Sequence, residues 1–511
     1  MSSFLNWLHT DTLGLVLVAV LGIALLLWLI IQVKLEPFVS LLISGFAVAL
    51  LAGIPATDIV GTVQNSNTVG LVQSGLGGIL GSVAVVVGLG SMLGALLEAS
   101  GGAQVLARRL IDRFGEERAP LAMGLTGLIF GIPIFFDIGI FVLAPIVYVA
   151  ALRSKRSILI YCLPLIAGLS VMHAFLPPHP GPVAAAGLLH VQLGWVIIMG
   201  VVCGIPAWIA GGYFFSKWIG ERIFIPVPLD MIEVAREAGA VQSRAKSHAS
   251  GAGKSGGHDD DLGEQSTGGA GSVAVESPTG GDDDLDSADP VTLGAVLGII
   301  GTPLVLILLA TVSSVTMSEG PVRHFFEFIG NPFVALTISL LIAAYVLGIR
   351  RGWAKDDLAE VMSAALRPVG MILLVVGAGG FFGAVLEASG VGEAVAKTLT
   401  DAGLPLIVLA YLISCGLRIA QGSATVAIIA TAGIVGPLVV KGDFSQAHTA
   451  LFVVAISAGS IVASHVNDGG FWIVSRYFGI PVKETLKTWT VLETILSLVG
   501  FGVAAGLSTF I

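Results

Sequence analysis

A few charged and polar side chains stand inside otherwise apolar stretches of this chain. Asp137 follows Phe135-Phe136 and precedes Ile138. A carboxylate in such surroundings is costly unless paired or protonated, so it reads either as a proton-carrying group or as the cap of a helix starting beside it. Arg418 is the cationic counterpart, within Leu417-Arg418-Ile419-Ala420-Gln421-Gly422-Ser423-Ala424-Thr425. Its planar guanidinium suits a two-pronged grip on a carboxylate, and equally suits tying down a buried acid or loose carbonyls. Ser423 and Thr425 stand at the N-terminal side of a helical stretch, where they can cap it or donate to hydroxyls of a ligand, with Gln421 a weaker candidate. His465, Asn467 and Asp468 crowd a glycine-rich break. Asn467 and Asp468 can bind several hydroxyls and Asp468 can also carry a proton, although Asn-Asp-Gly favours a turn in any case. His173 and His179 flank a proline-rich break, and histidine titrates near neutral pH. A lone histidine is more often a satisfied core residue, and His179, inside the break, is the better candidate of the two.

The elements that must position these groups are membrane spans. The chain has 511 residues, 55% hydrophobic and only 12% charged, where a soluble domain carries about 25% charged residues. Many apolar runs of about 20 residues are long enough to cross a ~30 Å hydrocarbon core. The net charge of −9 owes much to one linker and offers no surface for nucleic acid. Cys162, Cys203 and Cys415 lie in apolar segments and form no CxxC spacing. The first apolar run, Leu13–Ile31, has no basic region before it and continues into a second span, unlike a cleavable signal. The rival class is an intramembrane hydrolase using Ser423 and His465, but neither an HExxH nor a GxSG motif is present.

Two stretches read almost alike: Gly88–Gly101 is GLGSMLGALLEASG and Gly377–Gly390 is GAGGFFGAVLEASG. Glu98 and Glu387 correspond and sit at span ends, facing the interface rather than a site. Basic residues follow the first copy (Arg108, Arg109, Arg113, Arg118) but precede the second (Arg350, Arg351, Lys355, Arg367). The positive-inside rule therefore gives the copies opposite orientation. The expected fold is an all-α polytopic membrane protein of two inverted-topology repeats. Each has about five spanning elements plus one re-entrant helical hairpin and one broken helix. The first repeat covers 1–229, with its hairpin at about 119–151 and its broken span at about 158–189. Residues 230–290 form a cytoplasmic Gly/Ser/Asp linker with acidic runs at Asp259–Asp261 and Asp282–Asp284, of a composition that stays disordered. The second repeat covers 291–511, with its hairpin at about 404–440 and its broken span at about 450–478. Both termini are expected outside; Lys441 fits this scheme least well, since it too falls outside.

Four segments carry a family resemblance: GGAQ (101–104), HAFLPPHPGP (173–182), RIAQGSATVA (418–427) and SHVNDGGFW (464–472). They resemble the signature segments of the gluconate permease (GntP) family, gluconate:proton symporters of the bacterial inner membrane within the ion transporter superfamily. The similarity runs from about Lys34 to the C-terminus, excluding the linker. It implies proton-coupled uptake of gluconate or a related small hydroxy-carboxylate, no cofactor beyond the proton as coupling ion, and a homodimer. On that basis Arg418 would hold the substrate carboxylate, and Ser423, Thr425, Asn467 and Asp468 its hydroxyls, with Gln421, His465 and His179 as further contacts. Asp137 or Asp468 would carry the proton. The family also has members that prefer other substrates, including D-serine. This chain departs from it in the long acidic linker and in having Asp137 where some members have Glu.

Overall fold

A computed structural model describes residues 7–61, 69–228, 291–391, 394, 398, 405–466 and 468–511. The linker expected over 230–290 lies outside the described residues, as does Asn467. Among the described residues every regular element is helical, and ten helices are long and apolar enough to cross a membrane.

The helices follow the same order in each half. The first half has Thr12–Ile31 and Pro37–Leu51, then Leu71–Ala99, which ends in the first EASG turn. A hairpin follows (Ala119–Phe130 and Phe136–Ser154), then a broken span (Leu159–Phe175 and Pro180–Leu188) and a return from Leu193 to Gly220. The second half has Leu293–Thr316 and Pro332–Ala343, then Val369–Ala388, which ends in the second EASG turn. Its hairpin is Leu406–Gln421 and Ala424–Lys441, its broken span is Gln446–Gly459 and Gly469–Tyr477, and the last helix runs from Val482 to Leu507. Short helices that hydropathy does not separate from loops include Gly102–Phe114, Pro321–Ile329 and Lys355–Ala364. The first of these is amphipathic, burying Ala103, Leu106 and Ala107 while Arg109 and Arg113 stay exposed.

Local chemistry explains the interruptions. Ala119–Phe130 has 12 residues and so reaches about 18 Å, short of a ~30 Å core. Leu176-Pro177-Pro178 ends Leu159–Phe175 because proline lacks the N–H a helix needs and forces its predecessor to extend; Leu176 is extended accordingly. Pro180 then opens the next helix, where its fixed φ is suitable. In the second hairpin, Gly422 at φ +84° closes the entering arm, and Ser423 Oγ accepts from the Val426 N–H at 3.4 Å to start the return. In the second broken span, Asp468 accepts from the Gly470 N–H at 2.9 Å as the cap of Gly469–Tyr477.

The two EASG helices pack head to tail. Gly75 faces Phe381 and Ala384, Gly380 faces Ile79, and Gly88 faces Leu366. The first EASG turn lies beside Arg351, which donates to the Ser100 carbonyl at 3.2 Å. The first EASG helix also crosses the tip of the first hairpin, and a Cβ on Gly94 would stand 2.3 Å from the Pro133 oxygen. Only glycine permits that approach.

Hydrogen bonds tie the helix ends together. At one end the Ile158 N–H donates to the Ile225 carbonyl at 3.0 Å and the Tyr148 hydroxyl to the Tyr477 carbonyl at 2.7 Å. At another, the Gln446 amide clamps the loop after the first broken span: its Nε2 donates to the His190 carbonyl at 3.2 Å and its Oε1 accepts from the Gln192 N–H at 2.8 Å.

Candidate functional site

The four interruptions meet. The tip of the first hairpin reaches both broken spans. Phe135 packs on the His173 and His179 rings, each centroid 6.0 Å away. Phe136 stacks on Trp489 of the last helix at 5.4 Å and lies against Gly470. Gly181 of the first broken span packs on Ile428 of the second hairpin. Arg418 joins the second hairpin to the second broken span.

Arg418 and Asp468 form a buried ion pair, 4% and 9% exposed. One guanidinium nitrogen donates to Asp468 Oδ2 and the other terminal nitrogen to the Gly422 carbonyl. Arg418 Nε is buried with no partner among the described residues. Ser464 Oγ also donates to Asp468 Oδ2; the Trp489 indole N–H donates to Ser464 Oγ at 2.7 Å. The neighbouring backbone is held from the same helix face: Thr490 Oγ1 donates to the Ser464 carbonyl, and Thr494 Oγ1 accepts from the Ala463 N–H at 3.3 Å. Trp489 and Thr490 belong to a π-turn, Leu486–Thr490, a distortion frequent at functional sites.

The remaining candidates divide. Asp137 lies in the first turn of Phe136–Ser154, which has no side-chain cap. It is exposed and within electrostatic reach of Asp468. Ser423 sits at the hairpin tip as a cap, beside the Gly422 carbonyl that Arg418 holds, and Thr425 is half-buried in the following turn. His465 is in the second break, where its Nδ1–H donates to the Ala463 carbonyl at 2.9 Å. His179 and His173 form a separate ring pair 4.5 Å apart; His179 Nε2–H donates to the Gly131 carbonyl at 2.7 Å, tying the first break to the first hairpin tip. Gln421 ends its helix, and its side chain lies outside what is described. Glu98 is half-buried and Glu387 exposed, both at helix ends.

A cavity of about 390 Å³ lies elsewhere, lined by Gln192, Thr311, Ser314, Glu327 and Asn331 among apolar residues. Its charged group is Glu327, paired with Arg323 at 2.7 Å. No lysine or arginine lines it among the described residues, so the cluster with the unpartnered Arg418 Nε is the better anion site.

Four members of that cluster were not singled out from sequence: Ser464, Trp489, Ser170 and Glu493. Glu493 is 1% exposed in the last helix, and Ser170 of the first broken span donates to its Oε2 at 3.0 Å. The available signal was a lone acid within Val491-Leu492-Glu493-Thr494-Ile495-Leu496, which deserves the suspicion given to Asp137.

Interrupted helices gathered round a buried ion pair, in an all-helical body of ten candidate spans, define a polytopic membrane transporter. Two solved transporters share the fold at 15% identity. The Neisseria gonorrhoeae MtrF structure, titled as illuminating a class of antimetabolite efflux pumps, matches with a TM-score of 0.56 over 98% of this chain and 96% of its own. The Alcanivorax borkumensis YdaH transporter matches at 0.53 over 93% and 98%. The chain itself belongs to the GntP family of permeases, whose model matches residues 14–247 and 276–511. The unmatched stretch between them falls in the acidic linker. Among its relatives, the inner membrane permease YgbN of Escherichia coli K12 is 39% identical, over 96% of this chain and 98% of its own. The gluconate permease of Bacillus subtilis strain 168 is 38% identical over 95% and 97%. The Gnt-II system L-idonate transporter of Escherichia coli K12 is 35% identical over 94% and 95%.

Proposed function

We propose that this protein is a proton-coupled symporter of the bacterial inner membrane that imports gluconate or a related small hydroxy-carboxylate. The observation that carries this is Arg418, a buried guanidinium with one nitrogen still unpartnered, placed where the second hairpin and second broken span meet. A substrate carboxylate can take the Nε side while Asp468 keeps the other, or displace Asp468. Capping residues at the same junction, Ser423 and Asp468, supply polar atoms for hydroxyls, together with Thr425 and Asn467. Asp137, exposed at the first hairpin tip, and Asp468 are the proton-carrying candidates. The names of the relatives, gluconate permease and L-idonate transporter, favour an aldonate.

The head-to-tail packing of the EASG helices supports two inverted repeats, with the hairpins moving against the other spans during transport. The orientation that follows from the basic loops puts both termini outside and the linker in the cytoplasm. A homodimer built through the static spans completes the proposal.

Uptake by purified protein in proteoliposomes tests the function. Labelled gluconate should be concentrated inside when a proton gradient is imposed, and unlabelled aldonates should compete better than D-serine or lactate. Equilibration without concentration would make the protein a passive channel, and preferential competition by D-serine would replace the substrate class.

A further inference from the structure

Glu493 is the one carboxylate at the site that neither the sequence reading nor the proposed cycle uses. It lies one turn beyond Trp489 on the helix face that holds Ser464 and Ala463 in place. One of its oxygens accepts from Ser170 at 3.0 Å. The other is buried with no partner among the described residues. Of the surrounding charges, Arg418 and Asp468 reach it electrostatically, and Arg418 is already engaged by Asp468 and the Gly422 carbonyl. Tyr411 lies one turn away, bonded to Ser497 at 3.0 Å, with Cys415 beside it. The packed helix Leu159–Phe175 carries one such group, His173, one turn past Ser170 and with its Nδ1 buried without a partner among the described residues, while the stretches 193–215 and 449–459 contain no Asp, Glu, His, Lys or Arg.

We propose that Glu493 is a proton-binding site of the transport cycle, loaded in the state seen here, and that its protonation is the condition for an anionic substrate to bind at Arg418. The inference rests on the symport reading above. Its basis is charge counting around a single guanidinium. A buried carboxylate with one neutral donor and an unpartnered oxygen is stable only as the acid. With Glu493 neutral, Asp468 is the one carboxylate among the described residues bonded to Arg418, Asp137 being exposed to solvent, and one substrate carboxylate can be added. With Glu493 ionised, the same addition would set three anions against one cation in a water-poor site, a combination that burial penalises heavily. Proton and anion therefore enter together. Ser170 connects this switch to the first broken span, so both halves of the molecule meet at it.

Wild-type protein and Glu493→Gln, reconstituted in proteoliposomes, are compared in two assays: accumulation of labelled gluconate under a proton gradient, and exchange of labelled for unlabelled gluconate without one. Glutamine keeps the neutral form permanently. It should preserve exchange and lower gradient-driven accumulation about tenfold or more, and gluconate affinity, which should fall with rising pH in the wild type, should become flat. Accumulation by Glu493→Gln equal to wild type overturns the assignment and leaves symport standing. A wild type that shows no gradient-driven accumulation instead overturns the symport reading. If Glu493→Gln loses exchange as well, Glu493→Asp is compared with wild type by infrared difference spectroscopy on adding gluconate at high pH. The protonated-carboxyl band must move in frequency with the shortened side chain, and an unmoved band overturns the assignment.

Discussion

Trp489 donates its indole N–H to Ser464 at 2.7 Å, and Ser464 in turn donates to the carboxylate that grips Arg418. The last helix thus sets the position of an ion pair formed by two other elements. Trp489→Phe retains the stack on Phe136 while deleting the donor. Losing one buried hydrogen bond costs about 1 kcal/mol, or roughly fivefold in affinity. Half-saturation for gluconate exchange should rise by that factor with maximal rate little changed. An unchanged half-saturation would reduce Trp489 to a packing residue.

Breaking the ion pair should be costly from either side. Arg418→Ala leaves Asp468 buried without its cation, a loss of about 3–5 kcal/mol. The thermal unfolding midpoint of the detergent-solubilised variant should drop clearly, and Arg418→Ala combined with Asp468→Ala should recover part of the loss. Arg418→Lys keeps the charge but not the planar fork, so substrate affinity should fall about tenfold or more. Unaltered affinity would show that the guanidinium only ties the hairpin to the break.

Asp137 is the exposed acid of the cluster, and its substitution separates coupling from binding. Asp137→Asn should abolish pH-driven accumulation while exchange persists. Normal concentrative uptake by this variant would remove Asp137 from the proton route and leave Asp468 and Glu493.

Much of this arrangement was legible because the bilayer allows few exceptions. Four prolines within Pro177–Pro182, and Gly422 and Gly469-Gly470 elsewhere, announce the breaks through backbone chemistry alone. Asp137 and Arg418 stand out because charge is rare inside apolar runs. Glu493 escaped because Lys483, Glu484 and Lys487 lie just before it, which makes the acid look interfacial; the helix carries it a turn and a half further, into the core. Ser170 and Trp489 escaped for another reason. An apolar span offers several serines and tryptophans, and only packing selects the ones that meet a partner, 323 residues away for Ser170 and 25 for Trp489. The short helices Pro321–Ile329 and Lys355–Ala364 were hidden because a window tuned to full spans averages them into loops.

One amide, that of Gln446, holds both the carbonyl of His190 and the N–H of Gln192. Pulling the two apart would strip two main-chain groups of a side-chain partner at once. The elbow that follows the proline-rich interruption and the beginning of the second interrupted crossing are therefore latched. In the proposed cycle, where the hairpins move against the other spans, those two lengths of chain would travel as a single lever.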